Sequence, residues 1–203
     1  MSSRIFAIDT CEGNMRVFVS FEDLHLHQAV KQSVNVLVRE FTGDESRSRE
    51  RSERIVAVLI DLGITHVVGV PDNVTRLIFE TLTADPRVAV VPVCREGEAW
   101  AIASGLWVGG CSPVVIIQNT GFLESGDALR GTATDMGIPL LVLMDYRGFK
   151  TLGKTDGRED SVARLFEPTM RAWEMPYEFL DEGNERAVLK GVFRNAVETQ
   201  RPA

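Results

Sequence analysis

From Ile55 onward, short runs of β-branched and aliphatic residues alternate with longer stretches in which apolar and polar positions mix at helical spacing. The runs 65–70 (THVVGV), 87–93 (RVAVVPV), 113–118 (PVVIIQ) and 139–145 (PLLVLMD) predict strands. They are continuously apolar instead of alternating, the pattern of a parallel sheet covered on both faces. Helices are predicted over 53–62, 73–83, 96–109 and 123–136, with Gly or Pro at most boundaries. A helix over 160–173, a short strand at 177–180 (YEFL) and a closing helix over 184–199 complete the pattern. Such alternation predicts an α/β domain: a doubly wound, mostly parallel sheet flanked by helices.

The N-terminal part is patterned differently. MRVFVSF (15–21) suits a strand, and 24–41 suits a helix carrying His25 and His27. TGDESRSRERSER (42–54) is almost free of apolar residues and can bury little, so it is expected as an exposed linker or a solvated helix start. The chain therefore divides into an N-terminal extension, 1–45, whose order the pattern leaves open, and an α/β domain over 46–203.

Composition narrows the function. A chain of 203 residues with net charge −7 holds one domain with a proper core and no basic stripe, which argues against general nucleic-acid or membrane-surface binding. Cys11, Cys94 and Cys111 are far apart and lack metal spacing, so they are expected as reduced thiols. With no bilayer-length apolar run and no signal-peptide pattern, a cytoplasmic protein is expected.

Ligands of doubly wound sheets sit beyond the carboxyl ends of the strands. The unusual residues fall in those loops: GVPDN (69–73), REGEA (95–99), QNTGFLESGDALRG (118–131) and DYRG (145–148). Each has an ordinary reading. Asp72 or Asn73 could cap a helix, and Glu96 and Glu98 could answer a helix dipole. Gln118, Asn119 and Thr120 could simply turn the chain. Lys150, Lys154 and Arg158, mixed with acidic residues, could be a solvated loop. The helix opened by REGEA is apolar all round, which predicts burial and makes two carboxylates at its mouth unusual.

Taken together and in order, GVPDN, REGEAWAIASG, IQNTG and DYRG resemble the pyrimidine-binding domain of thiamine diphosphate (ThDP) dependent decarboxylases. The likeness is greatest to the alpha subunits of sulfopyruvate decarboxylase and to phosphonopyruvate decarboxylase, and covers roughly residues 50–200. In that family the glutamate matching Glu96 hydrogen-bonds N1′ of the cofactor's aminopyrimidine. A carboxyl group in an apolar pocket tends toward its neutral form and can donate that bond. Glu98, about 200° away around the helix, cannot share the target. The resemblance further implies that Gln118, Asn119 and Thr120 lie by the cofactor, and that Asp72 and Asn73 reach the reacting carbon. Arg147 is the candidate for holding a second anionic group of a small 2-oxo acid. His25, His27 and His66 fall outside these loops and are expected as packing residues.

Half of such a site is absent from the sequence. The family's diphosphate and magnesium are held by a GDG motif with a downstream Asn. TGDES, SGDAL and TDGRED do not match it, so Asp44, Asp127 and Asp156 are not expected to bind metal. The resemblance thus implies a split decarboxylase. This chain would supply the activating glutamate, a separate beta subunit would hold the magnesium and diphosphate, and the chain itself would self-associate through its small-residue helix. The alternative from another class is a non-catalytic regulatory or scaffold module of the same fold.

Overall fold

A computed structural model describes residues 5–7, 45–73, 75–155, 157–175 and 177–202. The expected strand at 15–21 and helix at 24–41 lie outside the described residues, as do His25, His27 and Cys11. Six strands are described: β1 (Ile5–Ala7), β2 (His66–Gly69), β3 (Ala89–Pro92), β4 (Pro113–Gln118), β5 (Leu141–Asp145) and β6 (Tyr177–Phe179). Seven α-helices accompany them: α1 (Glu45–Asp61), α2 (Arg76–Thr83), α3 (Glu96–Val108), α4 (Asn119–Glu124), α5 (Gly126–Ala128), α6 (Ser161–Ala172) and α7 (Glu185–Thr199).

The main sheet is parallel throughout, in the order β3-β2-β4-β5. A second parallel ladder joins β1 to β6, and β1 also runs beside β5. Because side chains alternate along a strand, each apolar run feeds two cores. Val67, Val114, Ile116, Leu141 and Leu143 pack toward α1, α2 and α7. Val68, Val115, Ile117, Val142 and Met144 pack toward α3, α6 and the α4–α5 region. The predicted α/β class, with a parallel sheet flanked by helices, is what the structure shows. The strand order reverses between β2 and β4, which opens a crevice at their carboxyl ends.

Three expectations are corrected. Of the two readings of the polar run at 42–54 the helix start is found, but α1 begins at Glu45, eight residues before the predicted helix, and is not solvated throughout, since Arg51 and Ser52 are buried. Its charges are spent on neighbours. Glu45 pairs with Arg49 and Arg76, Arg54 with Glu182 and Glu185, and Arg51 with Glu185. The helix predicted over 123–136 is instead three pieces, with α4 starting at Asn119 and a π-helical turn over Leu129–Thr134 following α5. The break falls at Ser125. Its hydroxyl accepts a 2.7 Å hydrogen bond from the indole N–H of the buried Trp100 and donates to the Phe122 carbonyl. Lastly, α3 is not buried all round: Ala99, Trp100, Ala103 and Ser104 face the core, while Ile102 and Val108 are exposed.

One buried ion pair ties the N-terminal helix to the end of the fold. Arg51 is 1% exposed; its Nε lies 3.3 Å from Glu185 Oε1, and an Nη donates to the Leu180 carbonyl at 2.9 Å. Burial pushes the guanidinium down to about 10, against the attraction of Glu185, Glu182 and Asp181. Breaking such a pair from one side strands a buried charge. Arg51→Met is expected to cost about 3–5 kcal/mol in urea unfolding, and Arg51→Met with Glu185→Leu to come back within about 1 kcal/mol of wild type.

Candidate functional site

Parallel pairing brings four loops to one edge of the sheet. Gly69 is opposite Pro92 and Ile116, and Gln118 is opposite Asp145, so the segments after β2, β3, β4 and β5 all begin at the carboxyl ends. The floor of the crevice is tight. A Cβ on Gly69 would run into the Ile116 carbonyl, so β2 can approach β4 here only as glycine.

Glu96 is the first residue of α3 and is half-buried. Its Cγ, Cδ and Oε1 occupy the space that a Cβ on Gly121 would take. The bare glycine in the first turn of α4 therefore forms the seat of the Glu96 side chain. Among the described residues the Glu96 carboxyl group makes no hydrogen bond and no ion pair. It is a polar group held in place by packing, with its hydrogen-bonding capacity unspent.

Glu98 has the other role. Its Oε2 accepts from the backbone N–H of Cys94 at 3.1 Å and of Arg95 at 3.3 Å, the reach-back half of a capping box. Both glutamates stand in the first turn, where the helix dipole favours acidic groups, yet only Glu98 is engaged in satisfying the backbone.

The β4 loop is fixed by its own side chains. Gln118 donates from Nε2 to Asp145 Oδ2 at 3.1 Å and accepts from the Thr120 hydroxyl at 2.9 Å. Asn119 is fully buried and donates to the Arg147 carbonyl at 3.0 Å, which locks the β4 and β5 loops together; its Oδ1 has no partner among the described residues. Thr120 is exposed and Gln118 half-buried, so these two and Glu96 line the accessible part of the crevice. Arg147 is 54% exposed, with Nε 3.8 Å from Asp160, and turns outward beside Gly148, whose φ of +80° suits glycine.

In the β2 loop, Asp72 Oδ1 accepts from the Thr75 N–H at 2.7 Å and the Thr75 hydroxyl at 3.0 Å. Asp72 thus shapes the turn into α2, while Asn73 is exposed next to it. Both border a groove of about 670 Å³ between α2 and the edge strand β3. The structure sets Glu96 against the first turn of α4, which Asn119 and Thr120 open and Gln118 precedes, joins Arg147 to it through Asn119, and places Asp72 and Asn73 on the groove between α2 and β3. His66 stays outside, its ring Nδ1 2.9 Å from the Thr65 hydroxyl.

Sequence reasoning missed Gly121 as the seat of Glu96, Asp145 as the anchor of Gln118, and Glu124 as the partner of Arg95. Only the first left a local trace: glycine two residues after the β4 amides, inside a stretch that continues as helix. Among the described residues no cluster of His, Cys, Asp and Glu is suited to a metal ion, and no helix is long and apolar enough to cross a membrane.

Comparison with known proteins bears on the family and the fold. Residues 49–163 match the family described as thiamine pyrophosphate enzyme, N-terminal TPP binding domain. The sulfopyruvate decarboxylase subunit alpha of Methanothermobacter thermautotrophicus is 30% identical over 128 residues, 63% of this chain and 76% of that protein. Phosphonopyruvate decarboxylase of Streptomyces viridochromogenes is 35% identical over 94 residues, 46% of this chain but 24% of that protein. The Methanococcus maripaludis sulfopyruvate decarboxylase subunit alpha is 28% identical over 97 residues, 48% of this chain and 58% of that protein.

The seat of Glu96 gives a paired prediction. Gly121→Ala is expected to displace the end of the Glu96 side chain and to cost about 1 kcal/mol, the scale of a side chain forced from its rotamer. Gly97→Ala, whose new methyl would meet its nearest neighbour at 3.7 Å, is expected to be neutral or to stabilise by up to about 1 kcal/mol. In a Glu96→Ala background the cost of Gly121→Ala should vanish. Urea unfolding of the four variants measures all three expectations.

Proposed function

The chain belongs to the thiamine pyrophosphate enzymes through a domain of their N-terminal TPP-binding type, and from that premise we propose that it is one subunit of a two-chain ThDP-dependent 2-oxo acid decarboxylase in which Glu96 activates the cofactor. The observation that carries the proposal is the carboxyl group of Glu96, half-buried against Gly121 and free of hydrogen bonds among the described residues. Structural glutamates of a first helical turn are spent as Glu98 is, on backbone amides. One left unspent at the strand-order reversal is suited to a ligand that supplies its partner.

The residues present fit the aminopyrimidine of ThDP. Glu96 would hold its ring nitrogen, sharing or giving a proton there, on a rigid mount formed by α3 and α4. Gln118, already oriented by Asp145 and Thr120, and the Thr120 hydroxyl would line the same wall. Asn119 keeps the β4 and β5 loops in register from below. When bound, ThDP supplies the carbanion chemistry that lets a 2-oxo acid lose carbon dioxide, and the protein's part is to orient it and tune its basicity.

Arg147, exposed at the β5 loop, would hold the second anionic group of the substrate through paired hydrogen bonds, and Asn73, exposed in the β2 loop whose turn Asp72 fixes, would reach toward the reacting carbon. The names of the relatives, sulfopyruvate and phosphonopyruvate decarboxylases, support a substrate with such a group. The relatives named as alpha subunits support a second chain, and a beta subunit carrying the diphosphate and magnesium site is part of the proposal. The exposed face of α3, with Ala101, Gly105, Ile102 and Val108, suits close helix contact and self-association.

The test is 2-oxo acid decarboxylation by this chain mixed with a chain that bears the diphosphate-binding domain, with ThDP and magnesium. Turnover should need both chains, and Glu96→Gln should lower kcat by about 10²–10⁴ while the variant still folds. A stable two-chain complex that binds ThDP and turns over no 2-oxo acid would instead mark a regulatory or scaffold module.

A further inference from the structure

The residue before Glu96 breaks a local rule. Arg95 is the N-cap of α3, with the extended backbone expected there (φ −143°, ψ 143°), but its side chain has no acceptor to offer the helix amides. Violations of local preference in a folded protein concentrate where function is served. The Arg95 side chain goes to α4 instead, where an Nη contacts Glu124 Oε1. Glu124 lies one helical turn beyond Gly121, the seat of Glu96, so two consecutive residues of α3 dock on two successive turns of α4. The docking face is close: a Cβ on Gly97 would be 3.8 Å from Glu124 Oε2 and 3.7 Å from the Ala128 Cβ.

Stability does not explain this pair. Arg95 is 70% exposed and Glu124 39%, and ion pairs so open to water contribute little. Its electrostatic consequence is larger. Arg95 is a full positive charge next in sequence to an unpartnered carboxyl group. Three acidic groups act on it: Glu124 through the direct contact, then Glu98, then Glu96. Glu98 is already engaged by two backbone amides. Arg147 belongs to the β5 loop and pairs with Asp160, and Asp145, at the end of β5, holds Gln118. With Glu124 present, the guanidinium is satisfied on α4 and Glu96 is left open. Without it, Glu96 is the one acidic group among those acting on Arg95 that no backbone amide already engages.

We propose that Glu124 is a positioning residue for Glu96: by holding Arg95 on α4 it keeps that guanidinium from capturing the Glu96 carboxyl group and fixes the first turn of α3 over Gly121. This rests on the reading of Glu96 as the group that meets the cofactor. It assigns a role to Glu124 that acts through Arg95, and it makes Arg95 harmful whenever Glu124 is missing.

That dependence yields a test a purely structural clamp would fail. Glu124→Gln, Arg95→Gln and the double variant are prepared in the two-chain complex. ThDP affinity is read by titration calorimetry, kcat and KM by decarboxylation, and folding by thermal melting. Glu124→Gln is expected to weaken ThDP binding roughly tenfold and to lower kcat by about tenfold to a hundredfold, the scale of a misplaced reacting group, with KM for the 2-oxo acid and the melting temperature unchanged. Adding Arg95→Gln should bring both affinity and kcat back to within about threefold of wild type. A double variant no better than Glu124→Gln overturns the proposal, as does a Glu124→Gln enzyme that binds and turns over like wild type. The role of Glu96 is judged separately by Glu96→Gln. If that variant keeps full turnover the reading of the site fails, whereas a Glu96→Gln loss without a Glu124→Gln loss removes only the positioning role.

Discussion

The crevice depends on a contact in which one residue's side chain fills the place another residue lacks. Glu96 can lie across the start of α4 only because position 121 has no Cβ, and that contact sets how closely α3 and α4 approach. Below it, Gly69 lets β2 close on the Ile116 carbonyl, so the carboxyl ends of the two central strands meet where the sheet changes direction. Neither contact contributes much energy. Both dictate geometry, and the accessible side chains of the site hang from the backbone they define.

Around this seat the polar groups divide into those that hold structure and those left over. Glu98 and Asp72 satisfy the starts of helices, Asn119 and Asp145 fasten loops and side chains, and Ser125 receives the indole N–H of Trp100. A buried or half-buried polar group without a partner is costly, so the residue of this division is informative. Glu96 belongs to it, and so does the Oδ1 of Asn119 beneath the same loop.

Most of the fold was legible because both faces of the parallel sheet are covered. The runs THVVGV, PVVIIQ and PLLVLMD have no other economical use, and strands β2, β4 and β5 fall within them. The helical N-terminal run was misjudged because its charged residues pair with partners far away in sequence: Arg51 and Arg54 find Glu185 across more than a hundred positions, and local composition holds no sign of that. The break at Ser125 depends likewise on Trp100 from another helix. At the crevice the ordered motifs fall in loops that the order of strands brings to one edge of the sheet. What they could not distinguish was capping from availability. Glu96 and Glu98 are equivalent on paper, and a capping box opened by Arg instead of Ser or Thr does not announce which glutamate will close it.

The seat at position 121 also constrains how such a domain can diversify. A larger residue at 121 displaces the end of the Glu96 side chain, and a much smaller one at 96 uncovers position 121, so the two positions are coupled. Variation in what the crevice accepts then falls to exposed positions at its rim, such as Asn73, Thr120 and Arg147. The domain combines an interior that behaves as a fixed die with a border free to drift.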